Sequence, residues 1–175
     1  MTERIVFDRS AREIIAAVPE AQRAAVIAEW KRLGIDLDRL LPGYPLPVWY
    51  PAVQRAAACF DGSPREQLRT LGRGLTRSFT ESTFGKAVAA FGRLAGPLRT
   101  LRRAPSLFRS GNNYLETTLE HEAAGDVRLR VNEVSPIGEL LAGSIEELVT
   151  YTGGRNPRVE LTQGTESSVY GVKWD

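Results

Sequence analysis

The 175-residue sequence has few of the residues that build metal and redox sites: one cysteine, one histidine and one methionine. A single cysteine excludes an internal disulfide and suits the reducing cytoplasm, where we place the protein. One cysteine and one histidine cannot supply the three protein ligands of a zinc site. No run approaches about 18 uncharged apolar residues, and the N-terminal residues are charged throughout, so we predict neither a membrane span nor a signal peptide.

The common catalytic and phosphate-binding patterns are also absent. No Gly-x-Ser-x-Gly elbow accompanies the lone histidine, His121, which lies between two glutamates near a turn, where a solvated side chain is expected. No Gly-x-x-x-x-Gly-Lys-Ser/Thr loop occurs, and Gly72 and Gly74 fall within a helical pattern, where close packing explains them. Cys59 is expected to be a small buried hydrophobe, with a reactive thiol as the alternative. We therefore expect no enzyme, no cofactor and no metal.

Charge is distributed unevenly along a chain whose formal net charge is only +2. Residues 65–110 carry ten basic and two acidic side chains, a net of +8, and residues 111–175 carry five and eleven, a net of −6. Such segments favour self-complementary association or capture of an anion. The alternative is that they neutralise each other within one fold. Because the whole chain is nearly neutral and aromatic residues do not alternate with the arginines, nucleic-acid binding is not expected.

Helical spacing of apolar residues dominates the first 110 positions. The spacing predicts two helices over 10–33, one from Pro47 to Cys59, one over 64–82, one over 83–94 and a short basic helix over 98–103. Ser63 is the expected N-cap of the helix that begins at Pro64. Residues 41–51 hold four prolines and are equally compatible with extended chain, and residues 4–7 with a short strand or a disordered lead-in.

After Gly111 the apolar period changes from 3.6 to 2. The pattern predicts strands over 114–121 and 127–134, a helix over 136–152, and strands over 159–161 and 169–174. We therefore predict one α+β domain over residues 1–175. Its mainly helical part, residues 1–110, packs as a bundle on a four-stranded antiparallel sheet of β-β-α-β-β order, residues 111–175.

Several runs resemble a large family of paralogous proteins of unknown function in myxobacteria. These runs are Gly34-Ile35-Asp36-Leu37-Asp38, Tyr44-Pro45 with Trp49, Leu71-Gly72-Arg73, Phe108-Arg109-Ser110-Gly111-Asn112-Asn113-Tyr114-Leu115-Glu116, Asn132-Glu133 and Val172-Lys173-Trp174. The run that begins at Phe108 is the most specific. The resemblance extends from about residue 33 to the C-terminus and implies a fold more than a function.

The order of the elements, with Gly138 and Gly143 in the last helix, is more distantly similar to three groups of proteins. They are 4-vinyl-reductase-type sensor domains, haem–nitric-oxide-binding domains and the small subunits of TRAPP tethering complexes. In such relatives a hydrophobic cavity between helices and sheet often holds a small molecule, and some of them dimerise through helices. The haem-binding relatives carry their ligand histidine in the helix before the sheet, whereas Leu98–Pro105 contains none. The resemblance therefore does not extend to haem.

These observations lead to the hypothesis of a non-enzymatic, dimeric regulatory module that binds a small apolar or anionic ligand. The candidate pocket residues are Trp49, Phe79, Phe84 and Phe108, with Arg103 or Arg109 at the mouth. The alternative for the aromatic residues is plain core, and the alternative function is a protein–protein adaptor without an internal pocket. A binding module should enclose a void of several hundred Å³, on the order of 300–1,000 Å³, whereas an adaptor should be packed solid.

The densest polar group comprises Arg99, Arg102, Arg103, Arg109, Asn112 and Asn113. Guanidinium groups suit bidentate capture of phosphate or carboxylate. The alternative is structural: the arginines bind carbonyls and the acidic C-terminal third, and the asparagines take positive-φ turn positions. For Arg109 we expect a buried structural role with Glu116 or Glu133, whose loss would cost about 3–5 kcal/mol.

Overall fold

The described residues fold into seven helices and six strands. The computed structural model of the protein describes residues 3–81 and 83–175, without the side chains of residues 83, 84, 87–89 and 91. The helices are α1 (Asp8–Ala17), α2 (Glu20–Arg32), α3 (Leu46–Ala57), α4 (Pro64–Glu81), α5 (Thr83–Leu101), α6 (Ala104–Arg109) and α7 (Gly138–Tyr151). The strands are β1 (Ile5–Phe7), β2 (Gly43–Pro45), β3 (Thr117–Ala123), β4 (Asp126–Val131), β5 (Arg158–Gln163) and β6 (Ser168–Lys173).

The strands form two antiparallel sheets. β1 pairs with β2, and the other four strands form a sheet in the spatial order β3-β4-β6-β5. Along β4, Val127, Leu129 and Val131 are buried beneath α7, while the arginines between them are exposed, because successive side chains of a strand point to opposite faces. The predicted α+β class is confirmed, and the last third follows the order β-β-α-β-β.

The helical part packs around a second core formed by α1 to α4. Trp30 is fully buried and donates its indole N–H to the carbonyl of Ala52 at 2.8 Å. Its ring meets that of Trp49 edge to face, with centroids 6.0 Å apart. Ser63 caps α4 as predicted, because its hydroxyl and Glu66 exchange hydrogen bonds across the first turn. Nowhere in the described chain is a helix long and apolar enough to cross a membrane.

Helices α4 and α7 approach each other closely at two glycines. A Cβ atom on Gly72 would overlap the carbonyl oxygen of Leu140, and one on Gly143 would overlap that of Arg69. The hydroxyl of Ser144 bridges the two helices by donating to the carbonyl of Gly72 at 3.1 Å. Close packing therefore explains Gly72, as its helical context indicates.

The same contact joins the basic and acidic segments of the chain. Arg69 and Arg73 of α4 donate to Glu146 of α7 at 2.6 and 2.7 Å, and Arg77 donates to Glu147 at 2.7 Å. Arg102 likewise pairs with a glutamate of β3 at 2.6 Å. Of the two interpretations of the charge asymmetry, neutralisation within one fold is the one these contacts support.

The structure differs from the sequence-based boundaries mainly between residues 104 and 117. Helix α5 covers both the helix expected over 83–94 and the short one expected over 98–103. Its backbone is not helical at Gly96, whose φ of +80° is readily adopted only by glycine, so the expected break is present as a kink. The chain then forms α6, which the sequence analysis did not predict. Strand β3 begins at 117 rather than 114, because Asn112 Oδ1 accepts the backbone N–H groups of Tyr114 and Leu115. The side chain of Asn112, and not a neighbouring strand, thus satisfies the backbone N–H groups of residues 114 and 115.

Candidate functional site

An apolar cavity of about 520 Å³ lies between the helical part and the four-stranded sheet. Helices α1, α3, α4, α6 and α7 and strand β6 each contribute a large side chain to its wall: Ile14, Trp49, Phe79, Phe108, Leu141 and Tyr170. Most of the wall is hydrocarbon and aromatic surface. Its size falls in the range of about 300–1,000 Å³ that is typical of small-molecule sites.

The segment after α6 closes one side of the cavity and is held by the N-terminal strand. The backbone N–H of Phe7 donates to the carbonyl of Gly111 at 2.9 Å, and that of Ile5 donates to Asn113 Oδ1 at 2.9 Å. Asn112 donates to the carbonyl of Phe108 at 2.9 Å. The expectation of positive φ at the two asparagines is wrong, since Asn156 is the one such non-glycine residue in the described chain. Their side chains bond the backbone instead and fix the position of Phe108.

A buried carboxylate lies at the end of the cavity, in the loop after β4. Glu133 is 8% exposed and accepts a hydrogen bond from the hydroxyl of Tyr50. Its own carbonyl accepts from Ser168 at 2.6 Å, which fixes the loop. Burial, and then the hydrogen bond to Glu133, raises the pKa of Tyr50 to about 12. Burial and the charge of Glu133 also raise the pKa of Tyr114, whose hydroxyl joins the same group.

Glu133 also lines a second, outer cleft of about 630 Å³. This cleft is bordered by Arg4, Tyr50 and the turn between β5 and β6. The guanidinium of Arg4 stacks over the ring of Tyr114, with its central carbon 5.9 Å from the ring centroid. Glu133 is therefore positioned between the inner cavity and the surface.

A pair of oppositely charged side chains, Arg9 and Glu13, lies on the cavity wall at α1. Arg9 donates to Glu13 at 3.1 Å and reaches the hydroxyl of Ser110 at 3.5 Å. Burial raises the pKa of Glu13, and the charge of Arg9 opposes that shift. This carboxylate and its arginine neutralise each other.

The structure brings three of the six candidate residues to the cavity. Trp49, Phe79 and Phe108 line it, whereas the side chain of Phe84 lies outside the described residues. Arg103 and Arg109 are exposed and are not part of the cavity wall. The charged residues that line the cavity are therefore not the expected Arg103 or Arg109. They include Arg9, which is paired with Glu13, and Glu133.

Arg109 has one of its two expected partners but not its expected burial. Its guanidinium lies 3.6 Å from the carboxylate of Glu116, and both side chains are 68% exposed. The prediction of a buried Arg109 is wrong because α6 extends through this residue and leaves it on the outer face. An exposed pair of this kind contributes about 0–1 kcal/mol, so the cost expected from its loss falls accordingly.

The two residues weighed as metal or thiol sites lie away from the cavity. His121 is exposed on β3, opposite Arg128, as its position near a turn predicts. Cys59 is half-buried against the helical core rather than fully buried. Burial raises the pKa of its thiol, which lowers its reactivity.

The cluster around Glu133 was missed by the sequence analysis, although a signal was present. The inward positions of β4 are Val127, Leu129 and Val131, and the same period of two continues to Glu133. A glutamate at an inward position is rarely buried without a role. The tyrosines that meet it are about 80 and 20 residues away along the chain, and their approach could not be inferred from spacing.

Comparison with known proteins places the chain in a class and then in a family. Solved structures with the same fold include the Fe(II) unliganded H-NOX protein from K. algicida, with a TM-score of 0.70, 10% identity and 95% of each chain covered. They also include an oxygen-binding H-NOX domain related to soluble guanylate cyclases, with a TM-score of 0.68, 15% identity, and 94% of this chain and 93% of that chain covered. Identities this low show a shared fold alone.

The chain belongs to the family described as "Protein of unknown function (DUF2378)", which it matches over residues 4–175. No curated protein matches it. The resemblance to a family of unknown function and the more distant likeness to haem–nitric-oxide-binding domains are both confirmed.

Proposed function

We propose that this protein is a non-enzymatic regulatory module that binds a small, mainly apolar molecule in the cavity between its helices and its sheet. The observation that carries the proposal is the cavity of about 520 Å³ with its apolar wall. An adaptor that binds only through its surface has no need of an apolar cavity of this size. The fold shared with an oxygen-binding domain supports the same interpretation.

The ligand is not a histidine-bound haem, because the residues present do not fit one. The chain's one histidine, His121, lies on an exposed strand position away from the cavity. The described wall offers no imidazole and no thiolate. Its tyrosine hydroxyls are engaged: that of Tyr170 donates to the carbonyl of Gly138 at 3.2 Å, and that of Tyr114 joins Glu133. We expect the purified protein to show no Soret band.

The charges on the wall favour a neutral over an anionic ligand. An anion would need a free guanidinium or ammonium group on the wall. Among the described lining residues the arginine is Arg9, which already pairs with Glu13. The negative charge of Glu133 would repel an anion further. The sequence analysis expected a small apolar or anionic ligand. We therefore propose an apolar ligand, because the wall does not support an anionic one.

The test is binding of 1-aminoanthracene, a neutral probe whose fluorescence rises in apolar sites. Leu141→Trp fills the cavity, and Leu41→Trp is the matched control because Leu41 is 56% exposed and outside it. We expect one probe per chain in the parent, about tenfold weaker binding to Leu141→Trp, and parental affinity in the control. Native mass spectrometry of the purified protein reports a retained ligand.

Absence of both probe binding and retained ligand in a folded parent protein would contradict the proposal and favour the adaptor. Equal weakening in the two tryptophan variants would show that the probe binds elsewhere on the surface.

The proposal includes a homodimer in the cytoplasm. The dimer is what the distant resemblance described in the sequence analysis implies, and the single cysteine suits the compartment. The charge asymmetry no longer supports a dimer, because the arginines of α4 pair with glutamates of their own chain. An apolar contact is the remaining source of association, and Leu94 on α5 is 89% exposed.

A further inference from the structure

Among the residues that the structure describes, Glu133 differs from the other little-exposed glutamates in having no cationic partner. The glutamates of α7 with little-exposed side chains all pair with arginines of α4: Glu139, Glu146 and Glu147. Glu133, by contrast, makes no ion pair with any lysine, arginine or histidine of the described chain, and it accepts from the neutral hydroxyl of Tyr50. Burial of a carboxylate without a counter-charge is costly unless another group supplies that charge.

Glu133 lies where a bound ligand can reach it. Glu133 is among the residues that line the inner cavity and also among those that line the outer cleft. Arg4 borders the cleft, but it stacks over the ring of Tyr114 instead of pairing with the carboxylate. The other carboxylate of the cavity, Glu13, is already paired with Arg9. Among the described residues of the cavity wall, Glu133 is thus the carboxylate without a cationic partner. A bound cation would neutralise its charge.

We propose that Glu133 binds the cationic head group, an ammonium or a similar hydrogen-bond donor, of a ligand whose apolar body fills the cavity. The inference rests on the proposed function and adds the chemical class of the ligand. A carboxylate has about four lone-pair sites. The hydroxyls of Tyr50 and Tyr114 occupy two of them, so donors of a head group can take the others. Charge-assisted hydrogen bonds of this kind are about twice as strong as neutral ones. The aromatic rings of Trp49, Phe79 and Phe108 provide the surface for the apolar body.

The test compares three probes that share one ring system and differ in the charge of the head group. They are 1-naphthylmethylamine, which is cationic at neutral pH, 1-naphthalenemethanol, which is neutral, and 1-naphthoate, which is anionic. Binding to the full chain is measured by calorimetry. We expect the amine to bind about tenfold tighter than the alcohol, and the naphthoate to bind weakest.

Glu133→Gln removes the charge but keeps the shape and an acceptor for Tyr50. We expect it to bind the amine and the alcohol with equal affinity, while its affinity for the alcohol stays within about threefold of the parent. The matched control is Glu116→Gln, an exposed carboxylate outside the cavity, which should keep the preference for the amine. Circular dichroism and thermal melting establish that each variant is folded.

Several outcomes would overturn the assignment of the head group. They are equal binding of amine and alcohol to the parent protein, persistence of the preference in a folded Glu133→Gln, and binding of 1-aminoanthracene without any of the naphthyl probes. If Glu133→Gln does not fold, the ratio of amine to alcohol affinity in the parent decides alone. Failure of 1-aminoanthracene and all three naphthyl probes together contradicts the proposed function itself, so the two failures are distinguishable.

Discussion

Thr117 carries the one buried side-chain oxygen of the described residues that has no hydrogen-bond partner. It lies at the start of β3, opposite Val131, and is 9% exposed. A buried hydroxyl without a partner loses its hydration and gains nothing in return, which costs about 1–3 kcal/mol. The hydroxyl of Thr117 therefore lowers the free energy of unfolding.

We expect Thr117→Val to stabilise the protein by about 1 kcal/mol or more, since valine keeps the β-branched shape and removes the unsatisfied oxygen. Urea-induced unfolding followed by circular dichroism measures the change.

The matched control for that substitution is Thr152→Val, because Thr152 is also buried but donates to the carbonyl of Leu148 at 2.8 Å. Its replacement should destabilise by about 1 kcal/mol through the lost hydrogen bond. A destabilised Thr117→Val would show that its hydroxyl has a partner in solution.

At the scale of single residues, sequence reasoning identified apolar residues better than buried polar ones. Trp49 and Phe79 follow from helical spacing, and Phe108 from its aromatic size and its place in the most specific run of the family resemblance; all three line the cavity. Glu133 could not be predicted as a buried carboxylate without its tyrosines, because their contacts depend on tertiary structure. The expectation for Arg109 failed for a related reason, since the helix that exposes it, α6, has only six residues and little periodicity.

At the scale of elements, the contact between α4 and α7 depends on two glycines. Helix axes normally lie about 8–10 Å apart, and closer approach requires residues without side chains at the crossing. Gly72 faces a backbone carbonyl of α7, and Gly143 faces one of α4, so the contact is reciprocal. Gly74 of α4 instead faces Ala17, whose methyl group would lie 3.2 Å from a Cβ atom added at Gly74.

We expect Gly72→Ala to destabilise the protein by about 1–3 kcal/mol or more, because the new methyl group would separate the two helices. Denaturant unfolding measures the loss of stability.

Gly74→Ala is the control in the same helix. Its modest crowding is offset by the higher helix propensity of alanine, about 1 kcal/mol, so a change within about 1 kcal/mol is expected. Equal costs at both positions would indicate that flexibility of α4, and not the contact with α7, explains its glycines.

The long periodic elements could be predicted from the sequence, and the short ones between them could not. Helix α7 and the hairpin of β3 and β4 emerge close to their expected ranges, since each has several apolar residues in one period. Helix α6 and the late start of β3 depend on side-chain bonds from Asn112 to the backbone, which no periodicity encodes.

At the scale of the whole molecule, the sequence established how charge is divided but not what neutralises it. Net charges of +8 and −6 in adjacent segments are compatible with contacts within a chain or between chains. The partners of Arg69 and Arg77 lie about 70 residues further along the chain. Only the packing of α4 on α7 decides that these charges meet within one molecule.

This arrangement leads to a prediction for the proposed homodimer. Because Arg69, Arg73 and Arg77 of α4 are paired with glutamates of their own chain, they are not available to a second chain. The affinity of the dimer should therefore depend little on salt. We expect light scattering to show a dimer whose dissociation constant changes by less than about threefold between about 50 and 500 mM NaCl. Leu94→Gln should weaken the dimer and Leu41→Gln should not, since Leu94 is the more exposed, at 89% against 56%. If the protein is a monomer at about tens of micromolar, the proposed dimer is wrong. If the affinity of the dimer falls steeply with salt, the interface involves the charged segments instead.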